Sequence, residues 1–138
     1  MAGDVGKLRG VIMQPAEWIP LPGHIIRADV PHTDSQDSSD RYPVVVSSKS
    51  YNSQFPDVIV AFTTRSSNIK HSRSYDVEIS DKHKDFNLTG LTESTTVRCG
   101  RLHTISKKKI HDQIGCVPDD LLSDIQHLVI LNFQDVNK

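Results

Sequence analysis

The sequence predicts a small, mainly β (α+β) domain covered by one C-terminal helix. Three observations carry that prediction. Tyr42-Pro43-Val44-Val45-Val46-Ser47-Ser48 and Asp57-Val58-Ile59-Val60-Ala61-Phe62-Thr63-Thr64 are continuous β-branched runs, of the kind buried on both faces. Tyr75-Asp76-Val77-Glu78-Ile79 alternates apolar and charged residues, as a half-buried strand does. After Pro118, apolar residues recur at helical spacing and leave one face to be buried. At 138 residues the chain has the size of one domain, enough to withdraw roughly two-thirds of its unfolded surface from water.

Residues 1–22 carry Gly3, Gly6, Gly10, Pro15, Pro20 and Pro22, and read as a loosely held N-terminal arm. A short strand at Leu8 to Met13 is expected within it, and Trp18 and Ile19 are its anchors. The domain proper spans 23–138. His24 to Val30 is a β-branched strand stopped by Pro31. His32 to Asp40 has no large apolar residue, cannot bury itself, and reads as a mobile surface loop. The two buried runs, joined by a turn at Asn52 to Pro56, form the core. Thr95 to Cys99 and Arg101 to Ile105 supply one long strand or two, with Gly100 as a bulge or bend. Lys107-Lys108-Lys109 is a basic turn that opens a short helical or strand segment. Pro118 at the first helical position strands no donor, and Asp119 and Asp120 complement the positive end of the helix. Leu121, Leu122, Ile125, Leu128 and Val129 then face the sheet, and residues 134–138 fray.

Composition narrows the function. Lys+Arg 16 against Asp+Glu 17 gives a net charge of -1, without the basic excess of a generic phosphate binder. The charges are segregated, however: acidic residues gather in Asp29 to Asp40 and at Asp119, Asp120 and Asp124, basic ones in Arg98 to His111. The apolar run Leu128 to Leu131 is far too short to span a membrane, and Met1 to Gly6 lacks the order of a signal peptide. A cytoplasmic protein without membrane contact is expected. Cys99 and Cys116 form no Cys-x-x-Cys motif and read as two buried free thiols. The scattered histidines have no metal-ligand spacing, so neither a metal nor another cofactor is expected. Ser47-Ser48 lacks the glycines of a hydrolase nucleophile elbow.

Several segments, in order and with suitable spacing, carry a family resemblance. They are Gly23 to Asp29, Arg41-Tyr42-Pro43-Val44-Val45-Val46-Ser47, Val58 to Thr64, Val77-Glu78-Ile79, Gly90-Leu91, Arg101 to Ile105, and Ile114 to Leu121 with the terminal helix. Over about residues 23 to 133 the chain resembles the MazF/PemK toxin family. The resemblance implies an SH3-like small β-barrel with a C-terminal helix packed on it, usually a homodimer. It implies the toxin of a type II toxin–antitoxin pair, an mRNA interferase that cleaves single-stranded RNA without a metal. In that reaction the ribose 2′-hydroxyl attacks the adjacent phosphorus and leaves a 2′,3′-cyclic phosphate. The implied partners are single-stranded RNA and a cognate antitoxin, with operator DNA bound only through the antitoxin complex.

Such chemistry needs a planar cation on the phosphorane and groups that move protons at two oxygens. The resemblance places an arginine directly before the proline of the first core strand and a threonine at the end of the second. Thr64 matches the threonine, with Thr63 as the alternative register. Tyr42 stands directly before Pro43, and Arg41 lies one residue earlier, a shift that turns a strand side chain to the other face. Either a bulge returns Arg41 to the site, or Arg65, Arg101 or His103 supplies the cation. Arg41, Thr64 and His103 are therefore the candidate catalytic residues, and Thr63, Arg65, Arg101 and Lys107 the candidate RNA contacts. By strand alternation Arg101 and His103 share a face.

Plainer readings stand beside these. Thr63-Thr64 is also an ordinary strand end, Arg41 a solvated loop residue, and Lys107-Lys108-Lys109 a solvated turn. Trp18, Tyr51 and Phe55 suit packing better than base stacking. Asp34, Asp37 and Asp40 would repel phosphate, and a loop lying over the basic site would autoinhibit. The second functional reading is a catalytically impaired SH3-like module that binds an antitoxin-like protein or a nucleic acid. Tyr42 and the acidic loop favour it.

Overall fold

The computed structural model describes residues 18–31, 38–71 and 74–135. The strand expected at Leu8 to Met13, and Asp34 and Asp37 of the acidic loop, lie outside them. The elements are β1 (His24–Pro31), β2 (Ser38–Arg41), β3 (Val44–Val45), α1 (Lys49–Gln54), β4 (Asp57–Arg65), β5 (Asp76–Ile79), β6 (Thr95–Ser106), β7 (Ile110–Cys116) and α2 (Asp119–Leu131). Every ladder is antiparallel. The strand order is β2-β1-β3-β4-β6-β5, and β7 pairs with β1. This is a small barrel-like sheet that does not close: β5 lies at one edge, and β7 flanks β1 on the side opposite β2 and β3.

Strand alternation divides the core in two. Ile26, Ala28, Val30, Val45, Val58, Val60, Ile105 and Ile110 form one buried cluster, on which Trp18 and Phe62 pack. Ile25, Val44, Ala61, Val77, Ile79, Val97, Cys99, Val117 and Ile125 form the other. Neighbouring residues such as Val44 and Val45, or Val60 and Ala61, thus point into different clusters, which is why the two runs read as apolar without interruption. The helix α2 covers the second cluster with Leu121, Leu122, Ile125, Leu128 and Val129, the stripe read from its period. Pro118 is its N-cap rather than its first helical residue.

The sequence reading and the structure part at three places. The run Tyr42 to Ser48 contributes only the two-residue β3, because Ser48 caps a short helix: its Oγ accepts from the Tyr51 amide at 3.1 Å. The turn expected at Asn52 to Pro56 is the end of that helix. Asn52 is buried there and satisfied, donating to the Pro20 carbonyl at 2.8 Å and the Ser47 carbonyl at 3.1 Å. Second, part of the expected loop, Ser38 to Arg41, is a strand paired with β1. The basic turn expected at Lys107-Lys108-Lys109 is found, as a single 3-10 turn that opens the strand β7. Third, both cysteines are free but only Cys99 is buried. Cys116 ends β7 exposed, and Val117 takes the buried position before α2.

Among the aromatics, Trp18 stacks on His24 with ring centroids 6.2 Å apart, and Tyr51 packs against Phe55 at 4.6 Å. Among the described residues, no helix is long and apolar enough to cross a membrane.

Candidate active site

The end of β4, the link from β2 to β3 and the bulged half of β6 line one groove of about 750 Å³. Two irregularities of the backbone build it. Tyr42 and Pro43 belong to neither β2 nor β3, and both Arg41 and Tyr42 line the groove. No residue is inserted at this gap: Ala28 of β1 pairs with Arg41 and Ile25 with Val44. The second irregularity lies in β6. Ala61 of β4 faces Leu102 and Phe62 faces Arg98, so Cys99, Gly100 and Arg101 have no partner on β4. The Cys99 amide turns instead to the Tyr75 carbonyl at 2.8 Å. This is the bulge expected at Gly100, and it puts Arg98 and Arg101 on the same groove.

Of the residues singled out in the sequence, Arg41, Thr63, Thr64, Arg65 and Arg101 all line this groove. The Thr63 hydroxyl donates to the Tyr42 carbonyl at 3.0 Å and so pins the β2–β3 link to β4. The Thr64 hydroxyl has no partner among the described residues. His103 is not brought into the groove. Because the bulge interrupts the alternation, it pairs with Val60 and lies flat against Phe62, with centroids 4.6 Å apart; Phe62 is the residue that faces the groove. Lys107 is not brought there either, since its ammonium donates to the Asn52 carbonyl beside α1.

The groove's cations differ in their surroundings. Among the described residues, Arg41 and Arg101 have no carboxylate partner. Arg65 pairs with Glu93 at 3.2 Å on an exposed surface, where such a contact is worth little. Arg98, which the sequence reading passed over, donates from Nε to Asp76 at 2.9 Å, and the two side chains are only 19% and 6% exposed. Burial, with Asp76 nearby, pushes the Cys99 thiol up to about 11, so it remains protonated and is no nucleophile.

Asp40 sits at the rim but does not pair with Arg41. Its carboxylate meets Arg27 at 2.9 Å and His111 at 3.8 Å, while Arg27 also reaches Asp112 at 3.3 Å and His111 reaches Asp29 at 3.2 Å. These contacts raise the Arg27 pKa, chiefly through the hydrogen bond to Asp40. Asp29, Asp40 and His111 place ligand-type atoms within 4.8 Å of one another, a grouping across three strands that spacing along the chain could not show. The Arg27 guanidinium already occupies Asp40 there. Arg98 and Asp76 were missed for the same reason: they face each other across the β5–β6 ladder, and only the pairing makes them neighbours.

A barrel-like antiparallel sheet under one helix, with a groove of guanidinium groups at a strand end, defines a small β domain with a cationic cleft. The chain belongs to the PemK-like, MazF-like toxin family of type II toxin–antitoxin systems, whose model matches residues 21–133. Solved structures share the fold. An endoribonuclease from a mycobacterial species, in complex with its cognate antitoxin, matches with a TM-score of 0.64 at 18% identity, over 83% of this chain and 94% of that one. MazF from Deinococcus radiodurans matches with a TM-score of 0.63 at 15% identity, over 82% and 94%. The Mycobacterium tuberculosis toxin MazF-mt6 matches with a TM-score of 0.57 at 17% identity, over 81% and 95%. No curated protein matches in sequence.

Proposed function

We propose that this chain is the endoribonuclease of its toxin–antitoxin pair and cleaves single-stranded RNA without a metal. The observation that carries the reading is the convergence on one groove of Arg41, Arg101 and the Thr64 hydroxyl, which has no partner among the described residues. In this reading the 2′-oxygen loses its proton and bonds to phosphorus, the bond from phosphorus to the 5′-oxygen breaks, and that oxygen takes up a proton. Arg41 and Arg101 bind the non-bridging oxygens as charge builds on the phosphorane, and Thr64 holds the phosphate in place. Arg65 contacts RNA at the exposed rim. Family membership supports the reading, as do the relatives described as endoribonucleases. The mycobacterial and Deinococcus structures with antitoxins support an antitoxin partner, here a segment that folds into the same groove. A homodimer, and contact with operator DNA only within the antitoxin complex, complete the proposal.

The test is incubation of the purified protein with a long single-stranded RNA in EDTA. Products ending in a 2′,3′-cyclic phosphate are expected, with kcat/KM lowered about 100-fold or more in Arg41→Ala and Thr64→Ala. His103→Ala and Lys107→Ala should stay within a few-fold of wild type. Intact RNA at high protein concentration would overturn the enzyme reading and leave the binding module.

A further inference from the structure

We propose that Tyr42 is a stacking platform for a nucleobase that flanks the scissile phosphate, which makes the groove a base subsite as well as a phosphate site. This rests on the ribonuclease reading above and adds to it the residue at which the chain departs from its family. Where the resemblance implies an arginine directly before the proline, Tyr42 stands before Pro43.

The aromatic side chains divide by what they already touch. Phe62 lies on His103, Tyr51 on Phe55 and Trp18 on His24, while Tyr75 and Phe86 pack on the core. Phe133 is exposed beyond the end of α2 and does not line the groove. Tyr42 does line it, is 44% exposed, and has no partner among the described residues for either its ring or its hydroxyl. Its backbone, by contrast, is held. The Tyr42 carbonyl accepts from the Thr63 hydroxyl at 3.0 Å, and the Pro43 carbonyl accepts from the Ile26 amide at 3.1 Å. Pro43 also keeps the residue before it extended. A tyrosine on a fixed backbone has only two torsions left to set, so offering its ring to a ligand costs little entropy. Arg41 precedes Tyr42 on the same groove, and Phe62 and Leu91 line it too. Charge for a phosphate and apolar surface for the attached base therefore lie together.

Stacking uses the face of a base and no charge, so it leaves a different mark from a phosphate contact. The experiment measures Kd for a single-stranded RNA oligonucleotide that spans the cleavage site mapped with wild type. A 2′-O-methyl group on the nucleotide whose hydroxyl attacks keeps it uncut. Wild type, Tyr42→Ala and Tyr42→Phe are compared on this RNA intact and with an abasic residue on either side of the scissile phosphate. Tyr42→Ala keeps the backbone contact to Thr63 and is expected to bind the intact RNA about 10- to 100-fold more weakly, with the salt slope unchanged. Tyr42→Phe should recover most of that loss. Removing the stacked base should cost wild type about as much as Tyr42→Ala does, and should cost Tyr42→Ala nothing further. In cleavage of unmodified RNA the loss should fall on KM rather than kcat, because stacking holds substrate and transition state alike. Wild-type affinity in Tyr42→Ala, an equal loss in Tyr42→Phe, or abasic losses as large in Tyr42→Ala as in wild type would each overturn the proposal while leaving the ribonuclease reading intact. If wild type cuts no RNA, the ribonuclease reading falls, and the three proteins are compared on an unmodified oligoadenylate. Weaker binding by Tyr42→Ala alone would then still support the stacking; equal Kd values, or no binding, would overturn both.

Discussion

Thr63 and Thr64 are adjacent and chemically identical, and one hydrogen bond distinguishes their surroundings. Thr63 spends its hydroxyl on the Tyr42 carbonyl, while the Thr64 hydroxyl has no partner among the described residues. The family resemblance set Thr64 in the threonine's place with Thr63 as the alternative register, but the hydrogen bond that tells their surroundings apart reaches a segment twenty-one residues away. The same holds for His24, an unremarked strand residue in the sequence. Its Nδ1 accepts from the Leu21 amide at 3.0 Å beneath Trp18, and burial lowers its pKa to about 4 from 6.5. The neutral form is the folded form. Above pH 6.5 neither state binds the proton; below it the unfolded chain does and the folded one resists until about pH 4, so stability falls as pH drops through that window. The full shift would be worth about 3 kcal/mol, and the partial exposure of the ring reduces this to about 1–2 kcal/mol. Urea unfolding between pH 7 and pH 4 should show wild type losing this advantage over His24→Asn, whose amide can still accept but does not titrate. Parallel pH profiles for the two proteins would refute the assignment.

Elements were legible where periodicity alone decides them and illegible where a cap or a close approach does. β1 and β4 follow from β-branched runs, β5 from alternation, α2 from the 3.6 period, and the Gly100 irregularity from a glycine inside a strand pattern. The short α1 depends on the Ser48 cap and the buried Asn52, contacts that a β-branched run gives no sign of. β7 is another such case, because its place depends on Gly115. A Cβ there would lie 2.3 Å from the Thr89 carbonyl and 2.5 Å from that of Leu88, so the loop before Gly90 can pack on β7 only over a residue without a side chain. These neighbours are backbone atoms and cannot rotate away. Gly115→Ala is therefore expected to cost about 2–3 kcal/mol in chemical denaturation. A change below about 0.5 kcal/mol would mean that the loop does not rest on β7 as described.

At the scale of the whole molecule, near-neutrality is a cancellation with a spatial pattern. The described acid at the β2 rim is paired with Arg27 and His111, and Arg98 with Asp76, so the cations left uncompensated on the groove are chiefly Arg41 and Arg101. RNA affinity should consequently depend only mildly on salt. Each phosphate contact on a single strand contributes about −0.7 to the slope of log K against log salt, which gives a slope of roughly −1 to −2. Binding titrations between low and physiological salt measure it, and a slope steeper than about −4 would place RNA on further cations such as Lys108 and Lys109. The sequence by itself determined the mainly β class, the covering helix, the family and the strand end where the groove opens, because these follow from periodicity and from local order along the chain. Only the tertiary structure decided which cations share that groove and which are spent elsewhere. Arg98 with Asp76, Arg27 with Asp40 and Lys107 with Asn52 are pairings across strands or turns. A side chain's free charge depends on what the fold sets opposite it, and that neighbour is distant in the sequence.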